Sequence, residues 1–131
     1  MDKTDPLQRP DLDRYDIDTA AVMFEQGQPM DVAAIAAATQ PWWNRTLTRV
    51  NDAVVRLGVL EGDFHWHKHD DDDEFFFVLE GRLDIELEDR TVSLGPQQGV
   101  TIPKGVMHLP HARGRVVVLM VETAGVVPTG S

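Results

Sequence analysis

In the stretch HWHKHDDDDEFFFVLEG, His65 to Gly81, three histidines alternate with other residues, four aspartates follow, and Glu74 opens an apolar run. Such alternation suits a β-strand, whose successive side chains point to opposite faces. His67 and His69 therefore project to one side, with Trp66 and Lys68 on the other. The aspartates 70–73 read as a solvated turn; they lack the ligand spacing of a calcium loop. Glu74 then begins a neighbouring strand whose carboxylate can close on the two imidazoles. The remaining histidines, His108 and His111, form a second cluster, preceded by a turn that Pro103 and Gly105 favour, with His108 opening the next strand. Histidine is the commonest transition-metal ligand near neutral pH, so the grouping points to a metal site assembled from two remote segments.

Working outward, short β-like runs separated by turn residues cover 45–50, 54–60, 64–69, 74–79, 83–88, 91–94, 100–102, 107–111 and 115–122. Their regular spacing predicts an all-β sandwich or barrel. Leu83, Ile85 and Leu87 alternate with acids, as in a half-exposed antiparallel strand. The runs 75–79 and 116–121 are apolar on both faces and are expected to be central strands. Before the strands, residues 1–28 are polar and read as an extended arm with a frayed start. A short helix is expected over 32–39, capped by Asp31 and stopped by Pro41. The organisation expected is one domain: an arm and helix over 1–43 and a barrel over 44–131.

The two histidine segments resemble the two motifs of the cupins. His67-x-His69-x4-Glu74-x6-Gly81 matches the first motif, and Pro103-x-Gly105-x2-His108 matches the second. The similarity spans about Asn51 to Thr129 and is greatest to small single-domain cupins of the mannose-6-phosphate isomerase-like kind. It implies a double-stranded β-helix, the RmlC-like jelly-roll barrel. By the same resemblance His67, His69, Glu74 and His108 are the ligands of one divalent transition-metal ion (Fe, Mn, Ni, Co or Zn). It also implies a homodimer, with Trp42, Trp43 and outward phenylalanines as candidates for the buried surface. The chain departs from the pattern at Glu61 and Gln97, where glycines are usual, and at Ala112, where the best-studied oxidase members often carry asparagine. His65 with His67 offers another register, but Glu74 would then stand seven residues past the second histidine.

Composition agrees with a small enzyme or binding module. The chain has 131 residues, a formal net charge of −10 and no cysteine. One domain of this length buries about two-thirds of its unfolded surface. The acidity argues against nucleic acid and anionic membranes as partners, and no helix-turn-helix segment is visible. Without cysteine there is no disulfide, thiolate ligand or cysteine nucleophile. No signal-like or membrane-spanning run is seen, so a cytoplasmic location is expected.

Three imidazoles and one carboxylate leave a divalent ion with a net charge of about +1 and two adjacent positions open in an octahedron. The expected guest is a small, partly apolar oxygenated metabolite in a cavity lined by Phe76, Val78, Leu57, Ile85 and Leu119. Dioxygenase, isomerase and lyase chemistry all fit such a site, and a non-catalytic sensing or storage cupin is the alternative. His65 is expected to face inward, at about 6.5 to 7 Å along the strand from His67. It is the candidate general base, or otherwise a rim residue. His111 is expected to be exposed. Arg45, Arg49 and Arg56 read as surface charges offsetting the acids, with anion binding as the other reading.

Overall fold

The computed structural model describes residues 15–130, and their architecture is all-β with one short helix. Strands β1 (Asp16–Val22), β2 (Trp43–Val50), β3 (Ala53–Asp63), β4 (Glu74–Glu86), β5 (Thr91–Leu94), β6 (Gly99–Ile102) and β7 (Leu109–Thr123) form one sheet. Its order is β1-β2-β3-β7-β4-β5, and β6 pairs with the other part of β4. Leu60 of β3, Phe76, Val78, Leu83 and Ile85 of β4, Leu94 of β5, Ile102 of β6, and Val116 and Val118 of β7 share one buried cluster. The sheet therefore wraps around its own core, as a jelly-roll barrel must. A second cluster, Leu47, Leu57, Val59 and Val117, lies on the opposite face and is covered by helix α1 (Val32–Ala37) through Val32, Ile35 and Ala36.

Local chemistry accounts for the elements. Asp31 caps α1 by accepting from the Ala34 amide at 3.0 Å. The helix ends at Ala37, two residues before its expected limit. Inside the arm, the alternation of 16–22 builds β1, which pairs in parallel with β2 and is bound to it by Arg45 through Asp16 at 2.8 Å. The frayed start lies outside the described residues.

Runs 74–79 and 83–88 join into the single strand β4, which bends at bulges around Gly81. Gly81 has a φ of +85°, and a Cβ there would run into the carbonyl oxygen of Arg115. Runs 107–111 and 115–122 similarly join into β7. By contrast, 64–69 does not form a ladder strand; within it only His67 makes a bridge, to His108. Gly105 donates to the His69 carbonyl at 2.8 Å and Lys104 donates to the Asp73 carboxylate at 2.9 Å, which ties the end of this segment and the acidic turn to the loop before β7.

Candidate metal centre

His67 is fixed first through its backbone. Its amide donates to the His108 carbonyl at 3.0 Å, and the His108 amide donates back at 2.8 Å, which clamps the two histidine segments together. His69 follows on the same side, and Glu74 enters from the first position of β4, opposite Ile102 of β6. The ligand atoms of His67, His69, Glu74 and His108 all lie within 4.8 Å of one another, and all four residues are buried. Atoms bound about 2.0–2.2 Å from one ion lie roughly 3 to 4.4 Å apart, so this spacing fits a shared cation.

Ring orientation supports the same fit. His67 donates Nδ1–H to the His65 carbonyl and His108 donates Nδ1–H to the Val106 carbonyl, each at 2.9 Å. Each ring is thereby held in the tautomer that leaves Nε2 as a bare lone pair. His108 Nε2 lies 3.3 Å, and His69 Nε2 3.4 Å, from the same Glu74 oxygen. His69 Nε2 is buried and has no hydrogen-bond partner among the described residues. Lone pairs facing a carboxylate oxygen repel unless a positive species lies between them, and a divalent cation supplies that charge. Burial, then the repulsion that a second positive ring beside His108 would meet, push the His67 pKa down to about 3, so the His67 ring is neutral.

Behind the cluster stands a pair absent from the sequence-based site. Arg56 and Glu122 are both buried, and the guanidinium donates to Glu122 Oε1 at 2.7 Å, to the Val126 carbonyl at 2.7 Å and to the Ala124 carbonyl at 3.1 Å. Arg56 is thus not the surface charge expected of it. Burial and the adjoining Glu74 carboxylate push Glu122 up to about 10, against the pull of Arg56. Burial also pushes Glu74 up, but the hydrogen bond from Glu122, the largest of the opposing influences, helps to outweigh it, and Glu74 is held well below the usual carboxylate range. Two touching carboxyls cannot both ionise cheaply, so Glu122 keeps the proton and donates it to Glu74. Glu122 ends the apolar run of β7 on the inward parity of Val118 and Met120, which was the one available sign of its role.

His65 faces the C-terminal segment, donating Nε2–H to the Thr129 carbonyl at 2.9 Å. Its Nδ1 is buried without a partner among the described residues, and burial lowers its pKa, partly countered by the Thr129 carbonyl. His111 lies at the surface, paired with Asp63. The acidic turn is tied down: Asp70 pairs with Lys68 at 2.9 Å and Asp72 accepts from Thr123 at 2.6 Å.

A narrow cavity opens beside His67 and Glu74, with about 30 Å³ of enclosed room, enough for one water, and about 380 Å³ of unfilled space when the solvent at its mouth is counted. Of the residues expected to line it, Phe76 does. Val78 and Ile85 are instead packed into the core, while Leu57 and Leu119 face the other way, toward the cluster under α1. Around Leu57 and Leu119 apolar residues occupy both faces, so no alternation fixes which face is inward, whereas Val78 and Ile85 face inward as expected but lie deeper than the cavity. The wall is completed by Trp42 and Phe64, stacked at 4.9 Å, with Tyr15 edge-on to both. Trp42 therefore packs within its own chain.

The family profile for the cupin domain matches residues 53–122, more than half of the chain. The chain belongs to the cupin family. This cupin is 44% identical over 80 residues to the uncharacterized protein YdbB of Bacillus subtilis, a span of 60% of this chain and 71% of that protein. It is similar to a cupin-2 domain containing protein from Shewanella frigidimarina, with 34% identity, a TM-score of 0.69, and coverage of 72% of this chain and 93% of the other. Protein NMB1881 from Neisseria meningitidis shares the fold at 21% identity and a TM-score of 0.66, over 73% of this chain and 99% of its own.

Proposed function

We propose that this cupin binds one divalent transition-metal ion (Fe, Mn, Ni, Co or Zn) through His67, His69, Glu74 and His108, and acts there as an enzyme on a small oxygenated metabolite. The observation that carries this reading is the buried convergence of three imidazoles and one carboxylate beside an open cavity. When bound, the ion supplies Lewis-acid polarisation or oxygen activation, as dioxygenase, isomerase or lyase chemistry requires. The chain's own residues do the rest. The Val106 and His65 carbonyls orient two ligand rings, and Trp42, Phe64 and Phe76 exclude water from the guest. His65 Nδ1, uncharged and unpartnered, is the proposed general base. The surface proposed for homodimer pairing is the outward strip of Phe75, Phe77 and Val121.

Elemental analysis of protein purified without added metal or chelator tests the ligand set. One equivalent of a transition metal is expected, falling below a tenth in His69→Ala and Glu74→Gln. Metal retained at full stoichiometry in both variants would overturn the assignment. Turnover assays of the loaded protein with diketones, enols and sugar acids then separate enzyme from sensor. Tight binding with no turnover of any of them marks the storage or sensing class. His65→Gln is expected to lower turnover while keeping the metal; unchanged turnover removes His65 as the base.

A further inference from the structure

The inward side of β2 leaves one polar group without a partner. Asn44 and Thr46 share this face, and Trp42, just before the strand, lines the same cavity as Asn44. Trp42 donates Nε1–H to the Glu61 carbonyl at 2.6 Å. Thr46 accepts from Arg56 at 3.2 Å and donates to the Thr19 carbonyl at 2.9 Å. Asn44, between them, is only 6% exposed, and its Oδ1 is buried with no hydrogen-bond partner among the described residues. It lines the same cavity as His67 and Glu74, and around it the wall is apolar: Ile17, Leu60, Phe76 and Met120.

Burying an amide oxygen without a donor is costly, and a site keeps such a group where a ligand, or a water that a ligand displaces, supplies the missing partner. A purely structural asparagine on an inner strand would bond to neighbouring backbone, as Thr46 does. An apolar wall with one free amide also discriminates strongly, because a guest lacking the matching group leaves the amide stranded. Rotating the amide by half a turn presents its NH2 in place of its oxygen, so the fitting partner is a group that both donates and accepts. A hydroxyl does both.

We propose that Asn44 is the recognition residue of this cavity, and that the guest carries a hydroxyl which hydrogen-bonds to its amide, in addition to the oxygens that meet the metal centre. This rests on the metal-binding reading given above. It narrows the substrate class to hydroxylated small molecules with an otherwise apolar body, and it assigns β2 a role in selection.

Metal content is measured first, so that the two readings fail separately. Metal-loaded wild type and Asn44→Leu are then titrated calorimetrically with small 2-oxo acids bearing a hydroxyl on C3, C4 or C5, each beside its deoxy counterpart. Wild type is expected to prefer at least one hydroxylated member roughly tenfold, the factor one hydrogen bond supplies. Asn44→Leu should lose that preference while binding the deoxy acids as well as wild type or better. Its ligand-free melting temperature should hold or rise, since an unpartnered buried amide is removed. A preserved preference in the variant, no preference in metal-loaded wild type, or no binding of any probe overturns the proposal. So does loss of folding in both Asn44→Leu and Asn44→Ala, which would make Asn44 structural. Protein that takes up no metal overturns the metal reading and this one together.

Discussion

Glu122 and Glu74 meet in the interior, and one proton serves both. Glu122 holds it with a pKa of about 10, above the ordinary 4.5. The native state therefore retains a proton that the unfolded chain releases, so its stabilising effect is complete below about pH 4.5 and fades as pH rises toward 10. His67 works in the opposite sense. Its pKa of about 3 against the ordinary 6.5 makes stability fall as pH drops below about 6.5, with no slope above. Between pH 7 and 9 the carboxyl pair alone acts, and metal-free protein is expected to lose about 2 to 3 kcal/mol over that range. Urea denaturation at several pH values measures it, and Glu122→Gln should flatten the slope. An unchanged slope in the variant means the proton is held elsewhere. The four expected ligand residues were legible in the sequence because a period of two and a Pro-x-Gly turn mark their geometry. Glu122, Arg56 and Asn44 were not, since each stands in a strand where buried neighbours hide which face it takes.

Arg56 ties β3 to the segment after β7, bonding to Glu122 and to the carbonyls of Ala124 and Val126. Replacing it by Met removes a buried charge from its partners and strands two carbonyls. A loss of about 2 to 4 kcal/mol is expected from the stranded acceptors. The segment after Thr123 should exchange its amide hydrogens faster than the rest of β7, as hydrogen-exchange mass spectrometry can show. If the variant melts like wild type, the guanidinium contributes little to the barrel. At this scale the sequence resolved most strands, because turn residues bound them. It divided β4 and β7 at Gly81 and Gly114, where the glycines with φ of +85° and +75° allow a bend in a continuing strand. It also made a strand of 64–69, since alternation reports which side a residue faces, whereas pairing depends on what lies beside it.

For the molecule as a whole, the chain carries a net charge of −10 and brings a carboxylate into a buried cluster, so binding of the proposed cation would relieve repulsion as well as complete a site. A ligand that binds only the folded state stabilises it by about 2.7 kcal/mol at a hundred times its Kd. For a domain of this size that is roughly a 10 °C rise in Tm. Calorimetric scans with Mn(II), Co(II), Ni(II) or Zn(II) should show the rise, and His108→Ala should abolish it. Equal shifts in both proteins would place the ion elsewhere. The barrel class was readable from the count and spacing of short strands, but the wrapping of the sheet around one core depends on long-range pairings that local patterns do not encode. The C-terminal segment has a practical consequence. Pro128 lines the cavity, Thr129 is bonded to His65, and a Cβ at Gly130 would come within 2.9 Å of His67. A polyhistidine purification handle joined directly after Gly130 would therefore start beside the imidazoles it imitates and could take a metal ion in their place. Recombinant protein for metal titrations should carry no handle at that position.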